Sequence, residues 1–306
     1  MEIQWGSQMI IDEWLADSNE NYKIIKPIRA ISLFSGIGAQ IAAFRRLDYP
    51  VEDYKTSEWD VNAIKMYNAM HCKDYTDYSN GKTVEELIDW LDLKGVSIDG
   101  KSLLPKEKIR RKGEKWLRET YNNYIATHNI GSIVNAKGSD LEIKDTDKYE
   151  FVLFYSFPCQ DLSVAGKLKG MSEDSNTRSS LLWHVGRLLR ECTEKPQVLI
   201  MENVSQVHGK KNLSDWNKWL GVLDELGYKT FYADLNGKDY GVAQNRLRTF
   251  AVSILDKNAK YEFPTPFELT KCMKDYLEDQ VDEKYYINTD KARALIQQLI
   301  DRRELP

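Results

Sequence analysis

The sequence predicts an α/β protein whose mostly parallel sheet is doubly wound, with helices on both faces. Three observations predict it. Near-continuous apolar runs recur along the chain: IRAISLF (Ile28 to Phe34), FVLFY (Phe151 to Tyr155) and VLIMEN (Val198 to Asn203). Segments with helical periodicity lie between them, as in a sheet buried on both sides. The chemistry-bearing residues stand just past the runs rather than inside them, and open sheets of this kind bind ligands outside the carboxyl ends of their strands.

The elements follow in order. Residues 1–27 lack strong periodicity and read as an N-terminal arm or short helix. Ile28 to Phe34 is the first strand, and SGIGAQIAAFRRL (Ser35 to Leu47) is a small-residue turn leading into an amphipathic helix. Tyr54 to Glu58 is a second short strand, with a helix from about Asp60 to Met70. A segment over about 73–137 interrupts the alternation with helical patterns, TVEELIDWLDL and KWLRETYNNYIATH, and a third short strand is expected near Ile130 to Asn135. Phe151 to Tyr155 is the fourth. A helix over Ser179 to Cys192 leads to the fifth, Val198 to Asn203. Another, Leu213 to Leu226, leads to YKTFYADL (Tyr228 to Leu235), and RTFAVSIL (Arg248 to Leu255) closes the series.

Composition narrows the class. With 306 residues, 29% charged and 42% hydrophobic, the chain has the balance of a soluble globular protein. It holds no apolar run long enough to span a bilayer, and MEIQWGSQMIIDEW has no basic n-region, so a cytoplasmic location is expected. Cys72, Cys159, Cys192 and Cys272 are far apart with no CxxC pair, and the four histidines are equally scattered, which suggests neither a disulfide framework nor a metal site. The net charge of −4 argues against a chain that binds nucleic acid over its whole surface. KEKIRRKGEK (Lys106 to Lys115) is the local basic candidate, although such a run usually marks a solvated helix face.

The strand ends carry the functional signal. After the first comes FSGIGAQ (Phe34 to Gln40), whose glycines let the backbone approach a ligand; the same residues equally suit a tight strand-to-helix turn. After the second comes SEWD (Ser57 to Asp60). Glu58 is placed to accept the hydroxyls of a ribose and Trp59 to pack on an adenine, while Asp60 suits a helix cap. After the third comes GSDLEI, with Asp140 a candidate acceptor for an exocyclic amine and Leu141 a candidate base contact. After the fourth comes FPCQ: Pro158 ends the strand, and Cys159 lies where a reactive rather than a structural thiol belongs. After the fifth comes ENV. A glutamate ending the run VLIM is expected to be partly desolvated and able to donate a proton near neutrality; a helix cap or salt-bridge partner is the plainer reading of Glu202. In GVAQNRLRTF (Gly241 to Phe250), Gln244, Arg246 and Arg248 fall on one face if the segment is extended, and adjacent arginines call for an anion or a carboxylate.

SLFSGIG, SEWD, FPCQDLS, MENV and QNRLR, in that order, resemble the motif series of the DNA (cytosine-5)-methyltransferases. The likeness covers roughly Ile28 to Leu255, and phage and restriction-modification enzymes look most similar. The resemblance implies a Rossmann-like S-adenosylmethionine-dependent methyltransferase fold, with double-stranded DNA as substrate and neither membrane nor metal involved. It makes Cys159 the thiolate that adds to cytosine C6 and Glu202 the acid at N3. Arg248 holds the base near its carbonyl, and Arg246 lies near the thiol and a phosphate. Pro158 shapes the loop, and Asn203 and Gln244 brace it. The methyl donor is set against Phe34, Gly36 and Gly38, with Glu58 on its ribose, Trp59, Asp140 and Leu141 around its adenine, and Leu181 a further contact. Ser179 stands where many members have glycine. VAGKLKGMSEDSN (Val164 to Asn176) fits a mobile lid over a flipped base.

Two family features do not occur in these 306 residues: the variable target-recognition region and the GNSV-like stretch that finishes the donor pocket. Residues 256–306 resemble the connector into the former. Three accounts are open. The chain is the catalytic half of a split enzyme whose second polypeptide supplies both features, a truncated product, or a non-catalytic protein on the same fold that binds nucleic acid or a partner. An RNA cytosine-5 methyltransferase is a further alternative with the same chemistry.

Overall fold

Alternate side chains of each apolar run go to opposite faces of the sheet. In β1 (Ile28–Leu33), Ile31 and Leu33 enter one core while Ile28 and Ala30 enter another. In β3 (Glu150–Tyr155), Phe151, Leu153 and Tyr155 join the first core, and Val152 and Phe154 the second. Strands apolar on both faces need cover on both, and the computed structural model provides it. It describes residues 21–162, 170–175 and 177–303.

Within those residues β1 and β3 join β2 (Val51–Ser57), β4 (Val198–Asn203), β5 (Lys229–Asn236) and β6 (Leu247–Ile254) in a six-stranded sheet of order β2-β1-β3-β4-β6-β5. Strands β2, β1, β3 and β4 run parallel to one another, and β6 runs antiparallel to both β4 and β5. The mostly parallel, doubly wound sheet read from the sequence is therefore present. From β1 the chain runs out to β2 and returns on the opposite side of β1 as β3. The order reverses between β1 and β3, and a crevice for a ligand forms at such a switch point.

The described helices are α1 (Ala39–Phe44), α2 (Val61–Tyr67), α3 (Val84–Lys94), α4 (Lys106–Arg110), α5 (Glu114–Ala126), α6 (Leu182–Glu191), α7 (Leu213–Glu225) and α8 (Asp290–Asp301). One face of the sheet is covered by α6 and α7, through Val185, Leu188, Leu189, Trp216, Trp219 and Leu223. Ile41 of α1 and Tyr67 of α2 lie in the core of the other.

The interrupting segment builds a core of its own. Leu87, Ile88 and Leu91 of α3 gather with Ile109 of α4, with Leu117, Tyr121 and Tyr124 of α5, and with Val61 and Ile64 of α2. Helix α3 starts where TVEE predicts: the Thr83 hydroxyl accepts from Glu86 N, and the Glu86 carboxylate accepts from Thr83 N. The basic run on and after α4 is partly neutralised, because Lys106 pairs with Asp89 and Arg110 with Glu85 across to α3. These pairings support the solvated-face reading for both cations.

The expected third strand near Ile130 to Asn135 does not form. Asn129 makes one isolated parallel bridge to Thr56, and the chain then turns. Gly131, at φ +97°, breaks the extended run, and a Cβ there would meet Lys94 O at 2.6 Å. Ile130 and Ile133 are nonetheless buried against the sheet, so the apolar signal marked burial rather than a strand. The helix after Met171 is also shorter than expected, opening with a 3₁₀ turn over Arg178–Leu181 before α6.

The described residues divide into two compact units, one reaching Asn236 and including Leu247–Thr265, the other Gly237–Arg246 with the residues from Pro266 onward. In the second, Phe267 N donates to Asp239 O at 2.9 Å, and the Phe267 ring packs edge-on to Tyr240. Thr289 caps α8 there, its hydroxyl accepting from Ala292 N. Among the described residues no helix is long and apolar enough to cross a membrane.

Candidate active site

The turn after β1 needs left-handed backbone at Phe34 (φ +57°), Gly36 (φ +53°) and Gly38 (φ +88°). Only glycine fits at 38, since a Cβ there would meet the His71 ring at 2.5 Å and Tyr67 at 2.8 Å. At Gly36 a Cβ would meet nothing within 4 Å, so the backbone there borders open space. The Gly36 amide donates to Glu58 Oε2 at 3.0 Å, which ties the ends of β1 and β2 together. Glu58 Oε1 accepts from Trp59 N at 2.8 Å and Asp60 N at 2.9 Å. Burial pushes the Glu58 carboxyl above its ordinary value, against the pull of the three amides. A carboxylate has about four acceptor positions, so these amides leave about one for a ligand hydroxyl. Asp60 is the helix cap, accepting from Asn62 N at 2.9 Å, which leaves Glu58 as the acid beside the glycine turn. Trp59 is half-buried beside it.

Sequence reasoning gives His71 no role, yet its Nε2 lies 2.9 Å from Ile37 O in the glycine turn. It comes from a π-helical turn, Asn68–Cys72, that continues α2. The partner is a backbone carbonyl, which leaves no mark in the sequence.

Asp140 and Leu141 lie on a 3₁₀ turn, Gly138–Leu141. Asp140 Oδ2 accepts from Lys137 N at 2.8 Å, and Leu141 is fully buried in the sheet core. Leu181, at the end of the 3₁₀ turn before α6, is half-buried against the same core.

The thiol stands on a braced loop. Leu33, Tyr155 and Met201 are level across β1, β3 and β4, so the loop carrying Cys159 leaves the sheet beside Glu202 and Asn203, the last residues of β4. Cys159 is partly exposed. Three successive carbonyls of its loop are occupied. Asn203 Nδ2 donates to Phe157 O at 3.0 Å, Ser179 Oγ to Pro158 O at 2.6 Å, and Leu162 N to Cys159 O at 3.0 Å. The brace expected from Asn203 is present, and Ser179 adds one that the sequence did not reveal.

Antiparallel pairing sets Glu202 opposite Phe250 and Asn203 opposite Thr249, which puts Arg248 on the Glu202 face. Arg248 Nε lies 3.1 Å from Glu202 Oε1, with the side chains 22% and 29% exposed. The arginine thus finds the carboxylate that its sequence position called for, and both side chains remain partly exposed. The extended run begins only at Leu247; Gln244 lies in a bend, its amide donating to Val242 O at 2.6 Å. Gln244 and Arg246 belong to the second unit, and Arg248 to the first. Val164 to Lys169 and Asn176 of the expected lid lie outside the described residues, as does Ser163 before it.

The thiols differ in a way that alkylation will read. Burial pushes Cys72 and Cys192 up to about 11, whereas Cys159 is partly exposed and Cys272 exposed. Only the thiolate reacts readily. Brief treatment with iodoacetamide at pH 8, followed by peptide mass mapping, is expected to mark Cys159 and Cys272 well before Cys72 and Cys192.

A doubly wound sheet with an open glycine turn after β1, answered by a largely covered acid at the end of β2, fits an S-adenosylmethionine-dependent methyltransferase fold. The open space at Gly36 and the remaining acceptor on Glu58 fit that donor. Among the described residues no group of three His, Cys, Asp or Glu side chains is placed to hold a metal. Comparison narrows the class. Residues 108–301 match the model of the C-5 cytosine-specific DNA methylase family. The chain is 34% identical over 268 residues to a type II methyltransferase, M2.ScrFI, of Lactococcus lactis subsp. cremoris, covering 87% of this chain and 71% of that protein. It is 37% identical over 270 residues to an orphan methyltransferase, M.SssI, of Spiroplasma monobiae, covering 86% of this chain and 68% of that one. The S. pombe Dnmt2 methyltransferase crystal structure shares the fold, with a TM-score of 0.54 at 17% identity, over 89% of this chain and 66% of that chain. The chain belongs to the C-5 cytosine-specific DNA methylase family, and its activity is that of a DNA (cytosine-5-)-methyltransferase using S-adenosylmethionine.

Proposed function

We propose that the chain methylates C5 of a cytosine flipped out of duplex DNA, through a covalent adduct at Cys159, in a restriction-modification or phage self-protection setting. The observation that carries this reading is the pairing of a partly exposed thiol past β3 with a Glu202–Arg248 ion pair at the end of the adjacent strand. Cytosine C5 is a poor nucleophile. Addition of the Cys159 thiolate to C6 forms a C–S bond and converts the ring to an enamine. Glu202, once it has taken a proton from solvent, supplies the hydrogen bond and proton at N3 that take up the charge developing there, and it recovers that proton when the adduct breaks down. Arg248, already held by Glu202, holds the base near its carbonyl, and Arg246 is assigned to a phosphate of the DNA. Bound S-adenosylmethionine supplies an electrophilic methyl group. Loss of the C5 proton and cleavage of the C–S bond then return Cys159 as the thiolate.

The donor is assigned to Phe34, Gly36 and Gly38, with Glu58 accepting a ribose hydroxyl at its remaining position, Trp59 and Asp140 around the adenine, and Pro158 and Leu181 nearby, while the fully buried Leu141 anchors the turn that carries Asp140. This makes donor binding pH-dependent in one direction. The ionised Glu58 carboxylate accepts the hydroxyl and the protonated form loses that acceptor, so affinity falls as pH falls. Burial raises this group above its ordinary value, so the fall comes at higher pH than for an unperturbed glutamate. Glu58→Gln is expected to weaken donor binding about 10- to 100-fold at neutral pH and to flatten the acid limb. Calorimetric titration with S-adenosylmethionine from pH 5 to 8 checks both.

Target recognition and the last donor motif are assigned to sequence outside these 306 residues, either on the same polypeptide or on a second one. The relatives' greater length supports this assignment. Tritiated methyl incorporation, with any such polypeptide supplied, is expected on duplex DNA and not on transfer RNA. The reverse preference would replace DNA with RNA as the substrate.

A further inference from the structure

Two side chains with no part in the reaction above hold the backbone that carries the nucleophile. Ser179 is completely buried, and its hydroxyl donates to Pro158 O at 2.6 Å. Asp161 is 7% exposed, and its Oδ2 accepts from Arg178 N at 2.8 Å, one residue before Ser179. The Asp161 carbonyl also accepts from Gly170 N at 3.2 Å, and Thr177 Oγ1 donates to Gly170 O at 3.0 Å. The Cys159 loop and the 3₁₀ turn at Arg178–Leu181 are therefore joined on both sides of the thiol, at 158 and at 161.

We propose that Ser179 and Asp161 are positioning residues for Cys159. The proposal rests on the reading that Cys159 forms the adduct. Strand β3 ends at Tyr155, so Pro158 O has no ladder partner. A partly buried carbonyl that loses its donor carries a desolvation cost that a turn of the peptide toward another donor relieves. Turning the 158–159 peptide moves Cα and Sγ of Cys159, and a misplacement of about 1 Å at a reacting atom can cost on the order of 100-fold in rate. Asp161 restrains the far side of the same loop through a backbone amide, a role that an asparagine oxygen can also fill.

The test is single-turnover adduct formation on a 5-fluorocytosine duplex, with donor and DNA saturating and with any recognition polypeptide that methylation requires. Ser179→Ala and Asp161→Ala are expected to slow the adduct about 10- to 100-fold, with donor affinity and DNA KM held within about two-fold. Asp161→Asn should keep most of the rate. Ser179→Ala should also speed iodoacetamide alkylation of Cys159 in the free chain. If Ser179→Ala forms the adduct at the wild-type rate, the proposal fails. Should that variant not fold, the Asp161 pair decides: equal rates for Asn and Ala overturn the proposal, and retention by Asn alone sustains it. If the wild-type protein forms no adduct, the nucleophile reading itself falls. The alkylation rates then still report whether Ser179 holds the loop.

Discussion

Cys159→Ala is expected to reduce methyl transfer by roughly four to six orders of magnitude, the range reached when a covalent nucleophile is deleted. The fold should survive the change. Cys159 is partly exposed, and the hydrogen bonds that brace its loop run through the carbonyls of residues 157, 158 and 159, which alanine retains. Donor binding should also persist, because the glycine turn and Glu58 lie past β1 and β2. The check is methyl incorporation into duplex DNA alongside a donor titration and a melting curve. Loss of activity with donor affinity and melting temperature near wild type assigns the chemistry to the sulfur. Activity within ten-fold of wild type would remove Cys159 from the reaction.

Glu202→Gln carries the second largest expected effect, a loss of about 10²- to 10⁴-fold in kcat, as for removal of a positioned general acid. Glutamine is nearly isosteric and can still hydrogen-bond, but it delivers no proton and no counter-charge. Arg248 Nε, 3.1 Å away, would lose its anionic partner in a site where both side chains are mostly covered. Arg248→Ala should therefore lower both base affinity and rate. The double variant should fall short of the sum of the two losses, because contacting residues couple. Single-turnover rates for the four proteins close the cycle. Strict additivity would mean that the ion pair of the free protein plays no part in holding the base.

Much of this was legible because the fold separates burial from chemistry. The runs at Ile28, Phe151 and Val198 are strands covered on both faces, and the residues ending them are where the site assembles. Apolar content alone misread Ile130 to Asn135: both isoleucines are buried, but Gly131 in a left-handed conformation prevents a ladder. Period-two spacing likewise placed Gln244 with Arg248, although the strand starts only at Leu247. The braces were hidden for a different reason. Ser179 and His71 donate to or face backbone carbonyls, and the acceptor carries no side-chain signature. Asn203 was found because it belongs to a motif, not because its bond to Phe157 O can be read from spacing.

The most direct measurement is intact-mass analysis of the protein after incubation with S-adenosylmethionine and a 5-fluorocytosine duplex, followed by peptide mapping. Fluorine at C5 blocks the final elimination, so the adduct accumulates. The account predicts a protein–DNA species, stable to denaturant, whose linkage maps to Cys159 and whose base carries the transferred methyl group. Methylation of ordinary duplex DNA with no such species, or with a linkage at Cys72, Cys192 or Cys272, would contradict it.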